Sequence, residues 1–439
     1  MEIPAIETKS LAEIKTYQEK KLPETLTYLA RHSTFYKRFF KTHKIDITSV
    51  RKLEDLQKIP PTSKMDLQKY NFDFLCTPQE KIIDYITTSG TAGEPVTFAV
   101  TDNDLERLAY NEAISFACAG GTSNDIYQLM VTLDRRFMAG MAYFLGARKM
   151  GAGIVRTGPG NPELQFDTIQ RIKPSVLVTV PSFLLKLIEY AEARGIHYRN
   201  MSVKSAICIG EPLRNASFQL NKIGQQIKEK WDLNLYSTYA STEMGAAYTE
   251  CRHNQGGHHH PELLITEFLD EKNKPVAEGE LGEVTITSLG VEAMPLLRFK
   301  TGDLCYHYTS PCECGRNTLR LSPVIGRKNQ MIKYKGTTLY PPALYDILNE
   351  IKNVENYIVE VSTNNFETDE INILIGTENN SPEFIKSIKD HFRARLRVAP
   401  AITICHPKEI QKKQFPEMSR KPVTFVDYRK RANKTNTNK

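Results

Sequence analysis

The sequence predicts an α/β protein in two parts, a large N-terminal α/β domain with buried sheets and a small α+β C-terminal lobe. Three observations carry this. From Tyr85 onward, short β-branched runs such as Val176–Val180, Ala206–Ile209 and Val284–Thr287 alternate with longer helical stretches such as Phe183–Ala193. Sheets covered by helices read in this way. A fresh pattern then starts around Gly326–Asn329: a helix at Pro342–Ile351, strands at Tyr357–Val361 and Ile371–Ile375, a helix at Pro382–Leu396 and a strand at Ile402–Cys405. Such a βαβ-type pattern suits a small lobe with its own sheet. Finally, 439 residues at 40% hydrophobic and 25% charged content supply more than one core. The domains are therefore expected at 1–328 and 329–439.

Ahead of these parts, Leu11, Ile14, Tyr17 and Leu22, then Leu26, Leu29 and Phe35, recur at helical spacing. Pro60-Pro61-Thr62-Ser63 interrupts them and offers an N-cap to a helix holding Met65 and Leu67. No repeat at solenoid periods is found. The formal charge is +7, but Arg429, Lys430, Arg431, Lys434 and Lys439 crowd the last residues. The body carries too little excess charge for a nucleic-acid groove, so no nucleic-acid partner is expected. No apolar run reaches the roughly 18 residues of a membrane span. Met1-Glu2-Ile3-Pro4 lacks the basic and apolar regions of a signal peptide. Eight cysteines in so long a chain do not make a disulfide scaffold. A reducing, cytoplasmic compartment is the expectation, with no membrane partner.

The strongest local signal is Thr87-Thr88-Ser89-Gly90-Thr91-Ala92-Gly93-Glu94-Pro95, which follows an apolar stretch. Hydroxyls and small residues packed this tightly make a loop whose N–H groups can face a phosphate. The alternative is a plain Ser/Thr/Gly turn between strands. It is not a Walker A loop, since no Gly-Lys-Ser/Thr follows. Further on come Tyr239-Ala240-Ser241-Thr242-Glu243, Arg298-Phe299-Lys300-Thr301-Gly302-Asp303 and Gly326-Arg327-Lys328-Asn329. Glu243 after a strand offers a hard oxygen ligand for magnesium. Asp303, expected in a glycine turn, can accept hydrogen bonds from a vicinal diol. Each of these alone is weak; their order along one chain is specific.

On these residues the chain resembles the adenylate-forming acyl-CoA synthetase superfamily, and within it the phenylacetate–coenzyme A ligase family. The resemblance begins at Leu56-Gln57-Lys58-Ile59-Pro60-Pro61-Thr62-Ser63-Lys64. It runs through the Ser/Thr/Gly loop, Ile209-Gly210-Glu211-Pro212 and Tyr239–Glu243, and closes on Gly326-Arg327 and Ser419-Arg420-Lys421. Its most distinctive match is Glu292-Ala293-Met294-Pro295-Leu296-Leu297-Arg298. The resemblance implies two steps: a carboxylate and ATP give an acyl adenylate, and coenzyme A then gives a thioester and AMP. The alternative hands the acyl group to a carrier protein or another acceptor. By analogy Thr88, Ser89, Gly90, Thr91 and Gly93 hold the β- and γ-phosphates, and Glu243 binds Mg2+. Gly210, Glu211, Pro212 and Tyr239, followed by Ala240, Ser241 and Thr242, frame the adenine. Asp303 and Arg327 hold the ribose, and Lys421 bridges carboxylate and α-phosphate. The lobe is expected to turn about Asn329 between half-reactions, Lys335 and Gly336 then lining the thiol channel. An aryl carboxylic acid is the expected substrate, and a homodimer an open possibility.

Two departures stand out. Val96 occupies the position after Pro95 where many superfamily members carry a lysine. The acid pocket, where the family shows a Tyr-Gly-x-Phe-Thr-Gly-Gly-like run, reads Asp134-Arg135-Arg136-Phe137-Met138-Ala139-Gly140, so Asp134 stands at the tyrosine position and the glycine-rich wall around Phe137, Ala139 and Gly140 has gained side chains. Separately, Cys251, His258, Cys312 and Cys314 have ligands for a closed tetrahedral Zn2+ site. The alternative is four unrelated loop residues. Cys76, Cys118, Cys208, Cys305 and Cys405 lie in apolar runs and are expected in the core.

Overall fold

A computed structural model describes residues 2–88, 96–364, 368–415 and 422–429. The chain divides into two compact units, Met1–Val324 and Ile325–Lys439.

In the larger unit, α1 (Leu11–His32) starts at a capping box between Ser10 and Glu13, and α2 (Thr34–Thr42) follows at once. Ile14, Leu22, Leu26 and Leu29 are buried as the period requires, whereas Leu11, in the first turn, is exposed. Ser63 caps α3 (Lys64–Tyr70), which buries Leu67 and leaves Met65 outside. β1 (Ile82–Thr87) and β2 (Thr97–Thr101) form an antiparallel hairpin, and α4 (Asp102–Cys118) leaves β2 through a Thr101–Asp104 capping box.

The main sheet then builds from β3 (Ile126–Leu129), α5 (Met138–Met150), β4 (Gly153–Arg156), α6 (Pro162–Ile172), β5 (Val176–Thr179), α7 (Pro181–Ala193), β6 (Ser205–Cys208), α8 (Lys222–Lys230) and β7 (Asn234–Ser241). Antiparallel β8 (Ala246–Glu250) and β9 (Gly257–His258) extend it. Strand order across the parallel part is β7-β6-β5-β3-β4. Alternation within the strands explains why both faces are covered. Leu177, Ala206, Cys208 and Leu235 pack on Leu184, Ile188 and Ile227 from α7 and α8. Val176, Val178, Ile207 and Tyr236 pack on Phe116 and Tyr143 from α4 and α5. A strand buried on both sides has no polar face, which is why these segments read as unbroken apolar runs.

A second sheet, β10 (Leu264–Leu269), β11 (Gly282–Ser288) and β12 (Phe299–Cys305), is antiparallel and takes α1, α2 and β2 into one core. Short β13 (His307–Tyr308) and β14 (Arg320–Leu321) join the rim of the main sheet. Cys76, Cys118, Cys208 and Cys305 are buried, while Cys405 is partly exposed.

The smaller unit holds β15 (Gly326–Arg327), a hairpin of β16 (Ile332–Tyr334) and β17 (Thr337–Leu339), α9 (Pro341–Glu350), β18 (Asn356–Thr363), β19 (Asp369–Gly376), α10 (Pro382–Leu396), β20 (Ala401–Cys405), α11 (Pro407–Gln414) and β21 (Phe425–Asp427). Its sheet runs β20-β19-β18-β21, and Leu344, Leu348, Ile388 and Phe392 seal it from the helices. Among the described residues no helix is long and apolar enough to cross a membrane.

Candidate active site

Parallel strands collect their loops on one edge, and here the expected residues follow the carboxyl ends of β3, β6 and β7. β4 and β5 flank β3 on opposite sides. The chain therefore reverses its winding there, where open α/β sheets form a ligand crevice. After β6, Gly210 turns at φ +73°, a left-handed conformation that favours glycine. The Glu211 carboxylate is occupied: it accepts from the Ser182 amide at 2.9 Å and the Ser182 hydroxyl at 2.7 Å, capping α7. Pro212 is exposed, and its carbonyl accepts from Asn221 Nδ2 at 2.8 Å.

At the end of β7 the Tyr239 hydroxyl donates to Asp303 Oδ2 at 2.9 Å. Burial, and then the Asp303 charge, push the Tyr239 phenol well above its ordinary value, so it stays a donor. Asp303 does not sit in a free turn as expected. It lies within β12 beside a break in register opposite Glu283–Thr285, where Gly302 takes φ +80°. The bulge re-aims the carboxylate toward Tyr239, and the Thr301 hydroxyl fills the broken ladder by donating to the Val284 carbonyl at 2.9 Å. Ala240 is exposed; Ser241, Thr242 and Glu243 are half-buried. Ser241 shapes the turn, its Oγ accepting from the Met244 amide at 3.3 Å. Among the described residues nothing donates to the Glu243 carboxylate, which lines a cleft with Thr242, Leu108 and Met138.

Ser89, Gly90, Thr91 and Gly93 lie outside the described residues, but the neck of their loop does not. Thr88 and Val96 close it with two bonds: the Thr88 amide to the Val96 carbonyl at 3.0 Å, and the Val96 amide to Thr88 Oγ1 at 3.1 Å. The Thr87 amide donates to the Arg136 carbonyl at 3.0 Å, joining this neck to the predicted acid-pocket segment. There Asp134 is exposed, Phe137 and Ala139 are half-buried, and Gly140 is buried with no room for a Cβ, which would meet the Thr132 carbonyl oxygen at 2.0 Å. Arg135, at a glycine position of the family's run, and Arg136 beside it both hold φ +58°, so two side chains here carry backbone strain.

Two motifs of the resemblance turn out to be one joint. The Thr62 hydroxyl donates to the Leu297 carbonyl at 2.9 Å, and the Thr62 backbone pairs with Arg298 and Lys300. The Arg298 guanidinium grips Glu267 through Nε at 2.9 Å and Nη2 at 2.8 Å. Asp104 accepts from the amides of Glu292 at 2.7 Å and Ala293 at 2.9 Å. One turn further along α4, Arg107 donates to three carbonyls: Gly245 at 2.6 Å, Leu263 at 2.7 Å and Leu289 at 2.8 Å. Sequence reasoning missed Asp104 and Arg107. Their signal was two charged residues three apart in a helix that also carries Leu108, Ala109 and Ile114.

Cys251, His258, Cys312 and Cys314 do converge, their ligand atoms all within 4.8 Å of one another. Cys251 Sγ lies 3.6 Å from Cys312 Sγ, and Cys314 Sγ lies 3.5 Å from His258 Nε2. A tetrahedron with metal–sulfur bonds of about 2.3 Å has edges near 3.8 Å, so the donor set fits zinc. His258 Nδ1 pairs with Thr318 Oγ1 at 3.1 Å, leaving Nε2 for the metal side. Burial holds His258 below its ordinary value and therefore neutral. Behind the cluster, Glu7 bonds His260 at 2.5 Å and Arg316 at 2.6 Å, while the Cys118 thiol packs against the cluster. The glutamate and Cys118 were not foreseen.

In the smaller unit, Arg327 is exposed at the end of β15 and Asn329 lies in a 3-10 turn, Lys328–Gln330. Lys335 and Gly336 are the two central residues of the β16–β17 hairpin, at φ +47° and +77°. Gly336 is thus required by its turn. Lys421 lies outside the described residues.

The AMP-binding enzyme family model matches residues 36–293. A phenylacetate-coenzyme A ligase of Thermus thermophilus is 31% identical over 80% of this chain and 78% of its own length. Its namesake from Escherichia coli is 28% identical over 81% of each chain. A crystal structure of 2-hydroxyisobutyryl-CoA ligase in a postadenylation state, in complex with 2-HIB-AMP, superposes with a TM-score of 0.83 at 22% identity, covering 97% of this chain and 91% of the other.

Proposed function

The chain belongs to the AMP-binding enzyme family, on its phenylacetate–coenzyme A ligase branch, and from that premise we propose how its residues carry out ATP-dependent acid–CoA ligation through an acyl adenylate. The observation that carries the reading is the end of β7, where the Tyr239 hydroxyl meets Asp303 and the following turn sets Glu243 in a cleft lined by Phe98, Ala99 and Val100. In the first half-reaction a carboxylate oxygen attacks the α-phosphorus of ATP, the Pα–O–Pβ bond breaks, and pyrophosphate leaves. In the second, the thiol sulfur of coenzyme A attacks the acyl carbon, the bond to AMP breaks, and the thiol proton passes to solvent.

The residues divide this work. Asp303, held by the Tyr239 hydroxyl, takes the ribose hydroxyls, with Arg327 assisting. Gly210–Pro212 and Tyr239–Thr242 border the adenine. Thr88 and the loop it closes take the β- and γ-phosphates. Glu243 and the Thr242 hydroxyl suit Mg2+, a hard cation that prefers oxygen ligands and offsets phosphate charge when bound. Lys421 supplies a cation at the α-phosphate. An aryl acid is the substrate class, supported by the names of the relatives, and Phe137 borders its pocket. Zinc in the Cys251–His258–Cys312–Cys314 cluster is structural, and the protein works in the cytoplasm, consistent with eight cysteines outside any disulfide. Pyrophosphate release across a panel of aryl and aliphatic acids, with and without coenzyme A, tests this. Acid-dependent release with acyl-CoA formed is expected; AMP release without a thioester overturns the choice of acceptor.

A further inference from the structure

Arg107 is an unusual arginine. It is half-buried, no carboxylate lies within ion-pair distance among the described residues, and its three hydrogen bonds all go to backbone carbonyls. Burial lowers its pKa to about 10, so it stays charged at neutral pH while bearing a desolvation cost. Lysine would bear less of a geometric burden, yet only a guanidinium fork reaches three acceptors in fixed directions. The three carbonyls belong to three separate segments. Gly245 ends the turn that carries Thr242 and Glu243, Leu289 follows β11, and Leu263 precedes β10. Gly245 takes φ +55°, and its Cα faces the guanidinium closely enough that a Cβ would lie 3.4 Å from Arg107 Nη1. Arg107 and Glu243 also line the same cleft.

From this juxtaposition we infer that Arg107 is a positioning residue for adenylation, fixing the turn that aims the Glu243 carboxylate at the magnesium ion. The inference rests on the assignment of Glu243 made above. The Glu243 side chain has no partner of its own among the described residues, so its direction is set by its backbone. That backbone is a five-residue turn, pinned on one side by Ser241 Oγ and on the other by Arg107. Releasing the Gly245 carbonyl frees the second anchor while leaving β7 and β8 paired. Asp104, one turn earlier on α4, holds Glu292 and Ala293 independently. The effect of Arg107 is therefore separable from the rest of the joint.

The test uses the full-length protein and the variants R107K, R107A, E243Q and R107A/E243Q. Two readouts are taken: the free Mg2+ concentration giving half-maximal pyrophosphate release, and the rise in melting temperature on adding Mg2+–ATP compared with ATP in EDTA. We expect R107A to raise the Mg2+ requirement about tenfold, with the KM for the acid within about twofold, and to shrink the Mg2+-dependent rise in melting temperature. R107K, which retains charge and reaches one carbonyl, falls between wild type and R107A. In the E243Q background R107A adds little to either readout. A fall in active enzyme with an unmoved Mg2+ requirement in R107A, or in R107K should R107A not fold, makes Arg107 merely structural and overturns the inference. If E243Q itself moves neither readout, the assignment of Glu243 fails and the inference fails with it.

Discussion

Replacing Glu112 with Gln takes one ionisable group out of the interior of the larger unit while preserving its shape. Glu112 is 5% exposed on α4 where α5 crosses it, close enough that a Cβ on Gly146 would meet Glu112 Cβ at 2.3 Å. Its one hydrogen bond is from Asn111 Nδ2 to Oε1 at 3.0 Å, and no cation pairs with it among the described residues. Burial pushes its carboxyl from 4.5 up to about 8, so it is neutral in the folded protein at pH 7. The sign follows. The unfolded chain ionises near 4.5 while the folded chain holds its proton until about 8, so stability is full below 4.5 and declines as pH rises through that window. At about 1.4 kcal/mol per pH unit, wild type loses up to about 3 kcal/mol between roughly pH 5.5 and pH 8, and the glutamine variant does not. Trp231, the single tryptophan, is buried in the core between the parallel sheet and α7–α8 and reports unfolding of this unit. Urea titrations followed by its fluorescence should show the variant gaining on wild type as pH rises. A stability difference that is the same at both pH values refutes the buried, neutral carboxyl.

Three further outcomes are expected. Lys421→Ala should cost about 3 kcal/mol or more of transition-state stabilisation in adenylate formation and spare thioester formation from supplied acyl adenylate, both read by single-turnover kinetics; equal losses would contradict a role confined to the α-phosphate. Protein purified without added metal should carry about one zinc per chain by elemental analysis, and Cys312→Ser should lose the metal and melt several degrees lower. Asn329→Pro, which fixes φ in the Lys328–Gln330 turn, should leave adenylation intact and slow thioester formation at least tenfold in separate half-reaction assays; unchanged rates would move the pivot elsewhere.

Local signals were legible wherever the physics was local. The buried strands of the main sheet announced themselves as apolar runs because both faces are covered, and α10 has the bounds its period implied, Pro382–Leu396. The Cys/His set could be read from spacing because ligand chemistry restricts the choice so sharply. Three things could not be read. Asp303 was placed in a turn because Thr-Gly-Asp commonly forms one, but pairing with β11 overrode that preference and made a bulge. Pro60–Thr62 and Glu292–Arg298 read as two separate stretches of the resemblance, whereas their hydrogen bonds make them the two halves of one structural joint. Arg107 and Glu7 gave no signal strong enough to use, since their partners lie 138 or more and 253 or more residues away.

The last separation has a consequence for how the chain is made. Glu7 completes its ion pairs only with His260 and Arg316, and its carbonyl accepts from the Asn317 amide at 2.8 Å. Arg316 follows Glu7 by 309 residues. At about 5–20 residues per second of synthesis, the early segment waits roughly 15–60 s before its partner exists. Throughout that wait the Glu7 carboxylate, buried in the folded protein, lacks its partners, and Cys251 and His258, once made, still lack Cys312 and Cys314. The Cys/His cluster and the segment around Glu7 therefore close together, late, as one non-local event. Loop-closure entropy makes such an event slow. The five parallel strands, complete at Ser241, are all made before it.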